Sequence, residues 1–166
     1  MKTTVFVDTG FWIALFDKRD LNHSVAKDSL KPLLQNYRLY LSDFIVFETL
    51  TYLNCSIKRH DLAVLFLAKM QEPELKTLVV DEVIKAEALK AFQKYSDKDL
   101  SITDCASFIL MLQKDIKLYA GFDDHFRQVG FVIVMDQLYQ GLYLMALKYY
   151  RCLRYPMVSK KPCRST

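Results

Sequence analysis

Hydrophobic and polar positions in this chain alternate between two rhythms. Thr3–Val7 is short, β-branched and apolar on both faces, the pattern of a central parallel strand. Asp8 closes it, and residues 10–16 then carry helical spacing. After a polar loop at 17–22, the chain reads as a helix over His23–Asn36 and a second short strand over 38–41. Ser42 is a candidate N-cap for a helix running to about Lys58, with Ile45, Thr49, Tyr52 and Leu53 in helical register. Residues 62–70 predict another helix, 75–80 a third strand, and 82–95 an amphipathic helix. Residues 96–100 are read as a polar loop. Ser101-Ile-Thr-Asp104 reads as a capping box ahead of a helix over 105–113. Strands four and five are expected at 116–120 and 131–134, around a turn at Gly121. Strands alternating with helices predict an α/β domain on a parallel sheet.

Against that frame, four acids stand where an apolar segment meets a turn or runs through a helix. They are Asp8 in VFVDTGFW, Glu48 in SDFIVFETLTYL, Asp104 in DLSITDCASFIL and Asp123 in KLYAGFDDHF. A carboxylate beside a core is costly unless it is paired, hydrogen-bonded or bound to a cation. In open parallel sheets, ligands bind beyond the carboxyl ends of the strands. Asp8 and Asp123 are expected there, and Asp104 lies in a first helical turn, where the helix dipole favours a carboxylate. Glu48 joins them only if its helix leans over the same crevice. Such a cluster of hard oxygen ligands suits Mg²⁺ or Mn²⁺ and points to phosphodiester chemistry.

The ordered segments VFVDTGFWIALFD, NHSVA, SDFIVFETLTYL, DKDLSITDCASFILM and FDDHFRQVGF resemble a PIN domain of the VapC-like kind, the ribonuclease toxins of prokaryotic toxin–antitoxin pairs. The resemblance spans residues 4–134. It implies a three-layer α/β/α fold around a mostly parallel sheet of about five strands, and a Mg²⁺- or Mn²⁺-dependent endoribonuclease. Asp8, Glu48, Asp104 and Asp123 match the family's acidic positions. Asp99 and Asp124 are candidates for a water-mediated ligand, Asp124 the weaker. Thr9 and Thr103 stand beside these acids and are candidates to orient water or phosphate; capping of the following helix is the plainer role, above all for Thr103. Resemblance alone implies the partners: an RNA substrate, a small antitoxin protein and a second copy in a homodimer.

Composition bounds these expectations. The chain has 166 residues, is 52% hydrophobic and 25% charged, and so can bury a core as one domain of ordinary size. Cys55, Cys105, Cys152 and Cys163 lack metal-ligand spacing, and the first two are expected as buried thiols. His23, His60 and His125 form no metal constellation; His23 is read as structural, His60 as a surface residue, and His125 as packing or capping near Phe126. Phe11 and Trp12 are read as core or dimer contacts. No stretch reaches the roughly 20 apolar residues of a membrane span and no secretory signal is visible, so a cytoplasmic location is expected.

Net charge is +4 and uneven. Residues 136–166 hold six basic residues and one acidic, leaving 1–135 near neutral. A nuclease domain over 1–135 is therefore expected to be followed by a 136–166 extension. That extension would have a helical stripe of Leu138, Leu142, Met145, Tyr149 and Leu153 and a disordered basic end. The stripe reads as an extra docked helix; contact with RNA or antitoxin is the alternative. Lys18-Arg19 stand near the proposed crevice as phosphate-binding candidates or a solvated loop.

Other readings compete. Asp8-Thr9-Gly10 resembles the aspartic-protease signature, but that fold is all-β. A haloacid-dehalogenase phosphatase wants a second Asp at position 10, which is Gly. An inactive PIN-fold binding module, and a PIN-like nuclease in RNA maturation or on structured DNA, remain as alternatives.

Overall fold

The computed structural model describes residues 2–95, 99–136 and 138. The chain divides after Met135 into two units, 1–135 and 136–166. The helical stripe and basic end expected in the second unit lie outside the described residues, Leu138 apart.

Five strands form one all-parallel sheet in the order β3-β2-β1-β4-β5: β1 (Thr3–Val7), β2 (Tyr37–Ser42), β3 (Leu75–Leu78), β4 (Leu118–Ala120) and β5 (Val132–Ile133). Val5, Phe6 and Val7 of the central strand are wholly buried, which is why that strand lacks a polar face. Helices α1 (Thr9–Phe16), α2 (His23–Asn36), α3 (Asp43–Thr51), α4 (His60–Lys69), α5 (Glu82–Lys94), α6 (Ile102–Gln113) and α7 (His125–Gln128) complete the α/β/α layers. Parallel strands need such crossovers, and the helices supply the apolar faces that cover the sheet. Phe11 and Trp12 are buried, and Trp12 packs edge-on against Phe66 of α4.

Three expectations change. The helix expected to reach Lys58 loosens at Tyr52–Ser56 into a π-turn, with Ile57 N donating to Tyr52 O at 3.1 Å; Lys58 then takes a left-handed φ of 56°. A short α7 stands where no helix was expected, because four residues are too few to establish a period. Cys105 is buried as expected, but Cys55 is exposed, since the π-turn carries it outward.

Candidate functional site

The sheet's strand order reverses between β1 and β4, and the crevice beyond their carboxyl ends is where this architecture leaves backbone groups and side chains free for a ligand. Asp8 follows β1 directly. Its N–H continues the strand pairing to Ala120 O at 2.9 Å, and its Oδ2 caps α1 by accepting from Gly10 N at 3.1 Å. The other side of this joint is Gly121: a Cβ there would stand 2.9 Å from Asp8 Cβ, so only glycine lets the end of β4 approach so closely. Burial pushes the Asp8 carboxyl up to about 7, helped by the charge of Asp104 and, more weakly, of Asp123; the Gly10 and Thr9 amides oppose the rise.

Asp104 belongs to the expected capping box. Its Oδ2 accepts from Ser101 N and Ser101 Oγ, each at 2.8 Å, while Asp104 N donates to Ser101 Oγ at 3.0 Å. The box turns this carboxylate back over the helix start. Burial raises its pKa, the Ser101 hydrogen bonds oppose that, and Asp123 adds to it. Glu48 does lean over the crevice: Thr9 Oγ1 donates to Glu48 Oε2 at 2.5 Å and ties α3 to the start of α1. Asp123 Oδ1 accepts from His125 N at 2.8 Å. His125 Nδ1 lies 3.0 Å from the same oxygen but out of line for a hydrogen bond, and it is buried with no other hydrogen-bond partner.

Asp8, Thr9, Glu48, Asp104 and Asp123 thus line one open recess of about 530 Å³, together with Tyr52. Thr103, Asp99 and Asp124 do not line it. Thr103 is buried in α6 and caps nothing, since Ser101 is the cap; Thr9 likewise yields the cap of α1 to Asp8. Asp99 is exposed, and Asp124 is exposed and stands 3.9 Å from Arg127. Two residues at the site escaped the sequence reading. His125 was assigned to packing or capping, yet Asp104, Asp123 and His125 each offer a ligand atom within 4.8 Å of the others. Tyr52 was read only as part of a helical stripe. The signal for His125 was its place two residues after Asp123, where a turn brings both side chains to one side.

Among the described residues lining the recess there is no lysine or arginine. Converging carboxylates, one of them buried and holding its proton up to about 7, leave negative charge that nothing in the recess neutralises. Hard oxygen donors in that state fit a divalent cation of the Mg²⁺ or Mn²⁺ type. Asp104, Asp123 and His125, whose ligand atoms lie within 4.8 Å of one another, could hold it, with Asp8 and Glu48 lining the same recess.

Comparison with known proteins agrees with this architecture. The family model of the PIN domain matches residues 5–132. The 23S rRNA-specific endonuclease VapC20 of Mycobacterium tuberculosis is 30% identical over 138 residues, covering 80% of this chain and 99% of that protein. The crystal structure of that VapC20, described as a sarcin–ricin loop cleaving toxin, superposes with a TM-score of 0.68 at 28% identity, over 77% of this chain and 96% of the other. VapBC2 from Rickettsia felis, solved bound to a DNA fragment from its promoter, shares the fold: TM-score 0.59, 10% identity, 79% and 97% covered. The chain belongs to the PIN-domain family, and within it resembles the VapC toxins.

Proposed function

We propose that this protein is a metal-dependent endoribonuclease, the toxin of a toxin–antitoxin pair. One observation carries the reading: in a chain of this family, carboxylates from four separate segments line a single recess at the sheet's switch point, with no basic side chain among the lining residues. Bound there, Mg²⁺ or Mn²⁺ would lower the pKa of a water and stabilise the leaving oxygen of a phosphodiester.

The chain's own residues do the rest. Asp8, Asp104 and Asp123 would hold the ion, with His125 within reach of the last two, and the capping box keeps the Asp104 carboxylate from turning away. Thr9 holds Glu48 over the recess, where its free oxygen can orient a water. Gly121 leaves the room that the Asp8 side chain occupies beside β4. By likeness to VapC20, ribosomal RNA is the first substrate class to try. A small antitoxin, a homodimer, a cytoplasmic setting and a nuclease domain confined to 1–135 belong to the same reading. Among the described residues, no helix is long and apolar enough to cross a membrane.

The test compares the natural chain with Asp8→Asn on structured and single-stranded RNA, with Mg²⁺, Mn²⁺ or EDTA. Cleavage by the natural chain alone, and with metal alone, is expected. A folded Asp8→Asn protein cutting at the natural rate would sink the assignment.

A further inference from the structure

A second recess, of about 430 Å³, opens at the far end of α1 and is lined by Phe16, Asp17, Lys18, Arg19, Ile57 and Arg59. Its chemistry is the reverse of the first. Arg19 presents a guanidinium that is fixed along one edge only: Nε and Nη2 each donate to Asp17 at 3.0 Å, and Arg19 N also reaches Asp17 Oδ1 at 3.0 Å. Asp17 itself is buried, and Tyr52 OH donates to its Oδ2 at 3.2 Å. These hydrogen bonds, the Arg19 guanidinium's first, hold the Asp17 carboxyl down to about 2, so the anchor stays charged at any working pH. The rest of the Arg19 side chain faces outward, 75% exposed. Arg59 is arranged in the same way, with Nε and Nη2 on Asp61 at 2.8 and 2.6 Å. Lys18 is exposed and has no protein partner among the described residues. Two guanidiniums held on one edge, each with Nη1 unused, and a free ammonium form a donor set suited to phosphate oxygens.

The two recesses share a wall. Tyr52 lines the acidic one and hydrogen-bonds Asp17 of the basic one. Helix α1 separates them, and its eight residues span about 12 Å at the usual helical rise. A polyanion meets repulsion at an acidic recess, and nearby fixed cations offset it.

We propose that Lys18, Arg19 and Arg59 form a phosphate-binding subsite that holds the RNA backbone a few nucleotides from the bond to be cut. The proposal rests on the ribonuclease reading above. It sets the register of the RNA on the enzyme: one phosphate is held at the far end of α1 while another enters the acidic recess. Asp17 and Tyr52 are positioning residues that aim Arg19.

The test uses the full chain carrying Asp8→Asn, which keeps RNA intact, with and without Lys18→Ala and Arg59→Ala together. Both changed side chains are exposed, and neither lines the acidic recess. Binding of a labelled single-stranded RNA is followed across a salt series. The double substitution is expected to weaken binding roughly tenfold and to lower the slope of log affinity against log salt by about 1.4, two phosphate contacts' worth. In the cleaving chain the same pair should raise KM and leave kcat in place. Unchanged affinity and slope would overturn the subsite, even if the parent chain cuts RNA well. If the parent cuts no RNA, the nuclease reading falls separately, and the salt slope still decides for or against the subsite. Loss of binding to a polyglutamate peptide with an unchanged RNA slope would also overturn it, in favour of a protein-docking patch.

Discussion

Asp8 is held under two opposing demands. As the cap of α1 it must sit in the buried joint between β1 and β4, and as the metal ligand proposed above it would have to be ionised there. Folded and metal-free, it keeps its proton up to about 7, whereas unfolded it releases it near 3.8. The folded state therefore binds more protons across that window, and stability of the metal-free protein falls as pH rises from about 4 to about 7. The shift corresponds to roughly 4 kcal/mol once Asp8 is fully ionised. Asn does not titrate and can still accept from Gly10 N. Metal-free Asp8→Asn is thus expected to melt on the order of 8–16 °C above the natural chain at pH 8, with the gap closing toward pH 4. Thermal unfolding in EDTA across pH checks this, and a gap absent at pH 8 would refute it. Asp8 was legible only as one of an ordered set of acids, since a lone acid after an apolar strand is common and here also caps a helix. His125 was not, because a histidine beside a phenylalanine reads as packing until the turn at Asp123 is seen in space.

At the scale of elements, caps were the most legible features and helix interiors the least. Ser101 and Asp104 announce a capping box by spacing alone, and the structure adds that the box aims a site carboxylate. Removing the Ser101 hydroxyl takes away one cap and one of the two hydrogen bonds holding Asp104 Oδ2. Ser101→Ala is expected to cost about 1 kcal/mol, lowering Tm by a few degrees, and to weaken Mn²⁺ binding. Ser101→Thr should retain both. Calorimetry and metal titration on the three proteins check it; an unchanged Tm in Ser101→Ala would contradict the box's role. The π-turn at Tyr52–Ser56 left no trace in the apolar pattern, since Tyr52 and Leu53 fit an ordinary helix equally well. The wider winding is held by one tertiary contact, Tyr52 to Asp17, and one local one, Arg59 N to Leu53 O at 2.8 Å. Strand edges also shifted by a residue or two, as with β4, which begins at Leu118 because Ile116 and Lys117 precede the pairing.

For the whole molecule, alternating strands and helices predicted the parallel sheet, but nothing in the spacing gives the order β3-β2-β1-β4-β5. That order is what puts Asp8 beside Asp123, residues far apart in sequence. Every described strand and every residue lining the acidic recess lies in the unit 1–135. A chain ending at Met135 is therefore expected to keep metal-dependent cleavage while changing its oligomeric state or salt sensitivity. Cleavage assays and light scattering on the truncated protein check this. Loss of all cleavage by a truncation that keeps its far-ultraviolet circular dichroism would assign 136–166 to the working unit.

The missing methyl of Gly121 has a wider consequence. With a Cβ there only 2.9 Å from Asp8 Cβ, the seam between β1 and β4 has less clearance than one carbon atom. The closeness of β4 to Asp8 is therefore fixed by a residue that has no side chain. The exposed residues Lys18 and Arg59, by contrast, can change without touching that seam. At the seam, the smallest possible enlargement jams the joint that the whole reaction is built on.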